Sequence, residues 1–187
     1  MVRNPELGKV KTRLAASLGE KRALSIYNRL LKHTADITQF LPVDKVVFYS
    51  DFIDNNDLWN PEIYQKQLQA PGDLGQRINA AFKWGFDSGY REIGIIGSDC
   101  YELTESIIKQ GFDNLTQYDA VLGPSRDGGY YFLGIKQMYP SLFQHKKWGT
   151  ESVSTDTVND FKKLALHYSL LPPLNDIDVV EDLPDEF

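Results

Sequence analysis

Hydrophobic positions along the chain change period several times, and each change marks an element. From about Gly19 to Phe40, Leu24, Tyr27, Leu31 and Thr34 recur at helical spacing, with Ile26, Leu30 and Ile37 beside them. This predicts an amphipathic helix. Residues 45 to 50 form a short, mostly apolar run that reads as a strand, and the Asp- and Asn-rich stretch from 51 to 62 reads as loop. Tyr64 to Ala70 is a weaker strand. Pro71-Gly72-Asp73 punctuates the chain before a helix from Leu74 to Asp87 that turns Ile78, Ala81, Phe82 and Gly85 inward. Glu92 to Gly97 is apolar without alternation, the pattern of a strand buried on both faces. A helix from about Thr104 to Leu115 follows, then strands at Asp119–Gly123 and Tyr130–Ile135. Thr150 to Leu164 reads as a helix with Thr150 as N-cap. A strand at Leu166–Leu171 and a short helix near Val180 close the series, while residues 1 to 9 read as loop.

Strands alternating with helices imply right-handed crossovers. The expected fold class is α/β, a three-layer α/β/α arrangement on a mainly parallel, Rossmann-like sheet. The 187 residues fit one domain, 1–187, without repeats or a linker. Ligands of such sheets bind beyond the carboxyl ends of the strands, so polar residues there draw attention first.

Composition narrows the partners. A net charge of -6 argues against a general nucleic-acid or anionic-membrane binder. The lone Cys100 excludes a disulfide within the chain. No apolar run approaches the ~20 residues of a membrane span, and no leader pattern precedes the fold. The expectation is a cytoplasmic protein with a small-molecule substrate; nothing in the sequence bears on oligomeric state.

Several segments could carry chemistry. Gly8-Lys9-Val10-Lys11-Thr12-Arg13-Leu14 places three cations within five residues, at a glycine-containing loop that leads into a helix. Loop amides with Lys and Arg side chains can cradle phosphate; a solvated basic turn is the plainer alternative. Asp99 follows a buried strand in Gly97-Ser98-Asp99. It can bind Mg²⁺ or Mn²⁺, which bridge one or two carboxylates to substrate phosphates, or it can cap a turn. Asp176 and Asp178 lie two apart in an extended segment and so point the same way. They offer a second arm for a metal, or simply helix caps.

Gly123-Pro124-Ser125-Arg126-Asp127-Gly128-Gly129-Tyr130-Tyr131 combines glycines that allow close backbone approach with Arg126, Asp127 and paired tyrosines that could position an acceptor. An ordinary inter-strand loop explains the glycines alone. Asp73 and Arg77 sit at a helix start, where Asp73 suits the helix dipole, and the pair could also contact a ribose or base. Trp148 reads first as packing.

In this order the segments resemble a family of uncharacterised GT-A-like transferases, the radical-SAM/selenodomain-associated transferase 1 family, also called DUF2064. The matching elements are Pro5–Leu14, Gly72–Arg77, Ile96–Asp99, Leu122–Pro124 with Asp127–Tyr131, Trp148 with Thr150, and Asp176–Asp178 with Glu181–Leu183. The resemblance implies the nucleotide-diphospho-sugar transferase fold. By analogy Lys11 and Arg13, with Gly8, Asp73 and Arg77, would hold the donor nucleotide and its phosphates. Asp99 would carry Mg²⁺ or Mn²⁺, completed by Asp176 or Asp178. Asp127 would contact and deprotonate an acceptor hydroxyl, with Arg126, Gly128, Gly129, Tyr130 and Trp148 around it.

The implied activity is glycosyl transfer from a nucleotide sugar. A nucleotidyltransferase using an NTP and a phosphorylated small molecule is the alternative, and a non-catalytic nucleotide-binding protein is a third reading. The chain departs from the family pattern at its start, where a hydrophobic first strand is expected to be missing. Tyr101 also replaces a usual proline, and Gly149 a frequent serine.

Overall fold

A computed structural model describes residues 1–187. The chain divides into two compact units. The first comprises Met1–Leu68, Gly97–Glu102 and Asn175–Phe187; the second comprises Gln69–Ile96 and Leu103–Leu174.

The first unit holds α1 (Thr12–Leu18), α2 (Glu20–Thr38), β1 (Lys45–Tyr49) and β2 (Tyr64–Leu68). The basic loop therefore runs into a short helix of its own, one that hydrophobic periodicity leaves hidden. Gly19, at φ 82 and ψ 155, separates it from α2. The predicted stripe is real: α2 buries Ile26, Tyr27, Leu30, Leu31 and Thr34. Tyr27 and Leu31 pack with Val47, Tyr49, Trp59 and Tyr64, whereas Ala23, Ile26 and Leu30 pack with Leu14 and Ile177. One helix thus anchors both the small sheet and the C-terminal segment, each fully buried Leu contributing about 2 kcal/mol.

β1 and β2 pair in parallel, from Lys45↔Tyr64 to Tyr49↔Leu68. Val2 adds one parallel bridge to Tyr49 and donates its N–H to Phe48 O at 2.9 Å. The region expected to be plain loop is therefore tied to this sheet. Asn4 is buried and reinforces the tie. Its Nδ2 donates to Phe52 O at 2.9 Å, and its Oδ1 accepts from the Asp51 and Phe52 amides.

The second unit holds α3 (Leu74–Asp87), β3 (Ile93–Ile96), α4 (Glu105–Leu115), β4 (Ala120–Pro124), β5 (Tyr130–Ile135), α5 (Val153–Lys163) and β6 (Tyr168–Leu170). Its sheet has the order β3-β5-β4-β6. β4 and β6 run parallel, but β5 is antiparallel to both neighbours. The α/β class stands as expected, with a mixed sheet in this unit rather than a mainly parallel one. Alternating strands and helices predict parallel pairing only where a helix intervenes; the Asp127–Gly129 loop joins β4 directly to β5, which forces a reversal.

Both faces of this sheet are covered. α4 lies against β5, close enough that a Cβ on Gly111 would sit 2.7 Å from Phe132. Tyr131, Leu133 and Ile135, alternating with Phe132, are buried as well. α3 and α5 also pack on the sheet. β3, expected to be buried on both faces, is half-buried along its whole length because it is an edge strand of its sheet. α5 starts at Val153, not Thr150. Ser152 takes the cap position, and the Thr150 hydroxyl donates instead to Lys147 O at 2.7 Å.

Candidate functional site

Three stretches distant in sequence meet in the first unit. Lys11 precedes α1 in the left-handed region, at φ 46 and ψ 50. A non-glycine residue there is held at a cost of roughly 1–2 kcal/mol. Its side chain is only 4% exposed, and its Nζ lies 2.9 Å from Asp99 Oδ2 and 3.1 Å from Asp178 Oδ1. Arg13 Nη1 reaches Asp178 Oδ2 at 3.3 Å. Gly8 turns the loop before it, at φ 76.

The two carboxylates are well placed by their backbones. Ile177 donates its N–H to Asp99 O at 2.9 Å, laying the 175–178 segment alongside the chain at Asp99. Ile177 is buried, which leaves Asp176 and Asp178 alternate to it. The Asp182 carboxylate accepts from the Asp178 and Val179 amides at 2.8 and 2.9 Å. Arg29 clamps the C-terminal segment from α2. Its guanidinium carbon sits 3.9 Å from the Phe187 ring centroid and 5.4 Å from that of Tyr101. Tyr101, which departs from the family pattern, is thus part of the packing that fixes Asp178.

Beneath the carboxylates, Tyr27 shares a hydrogen bond with Ser98 Oγ at 3.4 Å and donates to Arg3 O at 3.1 Å. Burial pushes the Tyr27 phenol up to about 12, so it stays protonated. Burial opposes the charge on Lys11, but Asp99 and Asp178 outweigh it and hold its pKa above the usual lysine value.

The chemistry of this cluster suits a divalent cation of one kind. Asp99 and Asp178 already share one cationic centre, and both are exposed by more than two-fifths. No group of three or more metal-ligating side chains exists. Two carboxylates alone could hold only a metal ion, such as Mg²⁺ or Mn²⁺, that retains water and draws further oxygens from a phosphate, not one caged by protein.

The remaining sequence candidates belong to the second unit. Asp73 caps α3: its Oδ1 accepts from the Gln76 amide, and the Gln76 side chain accepts from the Asp73 amide, both at 2.9 Å. Arg77 donates to Gly72 O at 3.0 Å and to Gln69 Oε1 at 3.3 Å. Both side chains are engaged in shaping the turn at Pro71–Asp73.

Asp127 accepts from the Gly129 amide at 2.9 Å and is exposed, as is Arg126. Gly128, at φ 91, is required: a Cβ there would lie 2.1 Å from Glu151 O. Trp148 packs on α3 at Gly75, where a Cβ would sit 2.3 Å from its indole nitrogen, and meets Tyr130 edge-on. The Tyr130 hydroxyl, Ser125 Oγ and Asn79 Oδ1 are buried with no hydrogen-bond partner. Such atoms cost about 1–3 kcal/mol each when left unpaired, which marks them as places for a ligand or water. Ser125 lies in the Gly123–Tyr131 candidate segment without a role of its own there, and Asn79 lies outside every candidate segment. Asn79 stands one helical turn after Gly75.

The model of a family described as uncharacterised proteins conserved in bacteria, DUF2064, matches residues 33–150. The chain also resembles a crystal structure from Desulfovibrio desulfuricans G20, provisionally described as a nucleotide-diphospho-sugar transferase. That match has 31% identity and a TM-score of 0.86, over 96% of this chain and 80% of that one. The chain belongs to the DUF2064 family.

More distant likenesses concern the fold alone. A 4-diphosphocytidyl-2C-methyl-D-erythritol synthase from Anaerococcus prevotii DSM 20548 is 10% identical with a TM-score of 0.56, over 82% of each chain. A cytidylyltransferase from Leptospira borgpetersenii serovar Hardjo-bovis is 17% identical with a TM-score of 0.53, over 82% of this chain and 71% of that one. None of the curated proteins matches. No helix is long and apolar enough to cross a membrane.

Proposed function

We propose that this protein is a metal-dependent glycosyltransferase that moves a sugar from a nucleotide-diphosphate donor to a small acceptor. The observation that carries this reading is the meeting of Lys11 and Arg13 with Asp99 and Asp178. A bound Mg²⁺ or Mn²⁺ would supply charge stabilisation for the diphosphate leaving group. Lys11 and Arg13 donate directly to the same phosphates. Asp99 and Asp178 orient the cation, with Asp176 as a neighbouring oxygen source. In the loop between β4 and β5, Asp127 takes the acceptor's hydroxyl proton, and Arg126, Gly128, Gly129, Tyr130 and Trp148 position the acceptor.

Nucleotidyl transfer from an NTP to a phosphorylated small molecule is the second reading. The fold shared with cytidylyltransferases favours it, and the same cluster would serve a pyrophosphate leaving group.

Thermal-shift titrations with nucleotide sugars and NTPs, each with Mn²⁺, Mg²⁺ or EDTA, separate the readings. A ligand present at 100 times its Kd stabilises the folded state by about 2.7 kcal/mol. Metal-dependent stabilisation by one sugar nucleotide, with NDP as the released product, supports glycosyl transfer; preference for an NTP with released pyrophosphate supports the second reading. Asp99→Ala should abolish metal-dependent binding while the protein stays folded. Binding that ignores both metal and Asp99 would leave a non-catalytic nucleotide-binding protein.

A further inference from the structure

We infer that Lys11 is a built-in counter-cation: it holds the Asp99–Asp178 pair against free divalent metal and is released to the donor's phosphates when metal takes that pair. The inference rests on the metal-dependent reading of the site and adds an order and a coupling to it.

Geometry supports the first half. The ammonium lies 2.9 Å from Asp99 and 3.1 Å from Asp178, the position of a shared cation. The Lys11 stem is buried and its backbone is held at φ 46, so the head group is aimed rather than free to wander. Yet the carboxylates it holds are 43% and 42% exposed, so a hydrated metal ion can reach both from solvent.

The other buried lysines of the molecule differ at this point. Lys66 pairs with an Asp57 that is only 14% exposed, and Lys146 with an Asp160 that is 19% exposed. Those pairs are closed on both sides; the Lys11 pair is closed only on the lysine side.

Charge supports the second half. Asp99, Asp178, Lys11 and Arg13 together sum to zero. A neutral cluster attracts neither a free cation nor a free diphosphate strongly. Binding of a divalent ion converts it to a net charge of +2 and frees an ammonium, which matches a diphosphate. Metal and diphosphate then strengthen one another's binding, by the same factor in either direction. Lys11 is in this sense a specificity residue: it disfavours metal alone and nucleotide alone relative to the two together.

The test uses Mn²⁺ alone, with binding to the full chain followed by electron paramagnetic resonance of the free ion. Lys11→Met leaves two carboxylates balanced only by Arg13, and its Mn²⁺ affinity should rise by on the order of tenfold over wild type. Equal or weaker Mn²⁺ binding by a folded Lys11→Met would overturn the inference.

A second measurement needs no variant. Acylation of Lys11 in wild-type protein by an amine-reactive ester, read by mass spectrometry, should be slow without metal and several-fold faster at saturating Mn²⁺. An unchanged rate counts against release even if Lys11→Met fails to fold. Mn²⁺-dependent binding of a nucleotide with no effect at Lys11 sinks this inference and leaves the proposed function intact. Absence of Mn²⁺ binding in every form sinks both.

Discussion

The Lys11 cluster of the first unit and the Lys146–Asp160 pair of the second begin from the same ingredients and end in different roles. Both lysine side chains are nearly inaccessible, at 4% and 3% exposure. Lys146 meets one well-covered carboxylate, which Lys163 also holds at 3.1 Å. Lys11 meets two carboxylates that remain open to solvent. A covered partner has no water to return to, so breaking the pair leaves a stranded charge and the contact is structural. An open partner can exchange its cation for another at small desolvation cost, so the contact is available for function. What separates the two sites is the exposure of the acid, not the burial of the base.

The most disruptive way to probe this contrast is at Lys66, whose Nζ bonds Asp57 Oδ1 at 2.7 Å and Asp54 O at 2.6 Å beside the Tyr49 hydroxyl. Lys66→Met should cost about 3 kcal/mol in a urea melt, because the largely covered Asp57 keeps its bonds from the Tyr49 hydroxyl and the Trp59 amide but loses its countercharge. Lys146→Met should cost less, about 2 kcal/mol, since Lys163 still holds Asp160.

The same pair has a pH signature. Burial opposes ionisation of Asp160, but its bonds to Lys146 and Lys163 outweigh that and hold its pKa below the usual 3.8. Its contribution is therefore complete above that value and is lost as pH falls through the lowered one. Asp160→Asn should remove this part of the acid limb of stability, measured as midpoint against pH.

Lys11→Met should cost under about 1 kcal/mol in the absence of metal, because both carboxylates are already hydrated and Arg13 remains. A loss as large as that of Lys66→Met would mean that the Lys11 contact is as structural as the Lys66 pair. The smallest effect is expected at Tyr130. Tyr130→Phe removes a buried hydroxyl without a partner, and should change stability by roughly 0 to 1 kcal/mol in the stabilising direction. A clear destabilisation would show that the hydroxyl already has a structural partner. Loss of acceptor turnover with stability retained would place it in the acceptor site.

Local features of the fold are legible in the sequence. The stripe on α2 came from helical spacing, the start of α3 from the Pro71-Gly72-Asp73 punctuation, and the start of α4 near Thr104 from the polar residue ahead of an apolar run. Spacing and punctuation are properties of one element's own geometry, so the sequence encodes them directly. The candidates Lys11, Arg13, Asp99 and Asp178 were also legible singly, as residue types at loop positions.

Tertiary structure alone decided their partners. That Lys11 faces Asp178, 167 residues away, depends on Ile177 finding the pocket of Leu14, Ile26 and Leu30 and on Arg29 holding the end of the chain. The same holds for Asn4 bonding across to Phe52, for β3 becoming an edge strand, and for Asn79 and Tyr130 being buried without partners. Each is an outcome of long-range packing, where many apolar surfaces compete for the same neighbours and no periodicity of a single segment records which one wins.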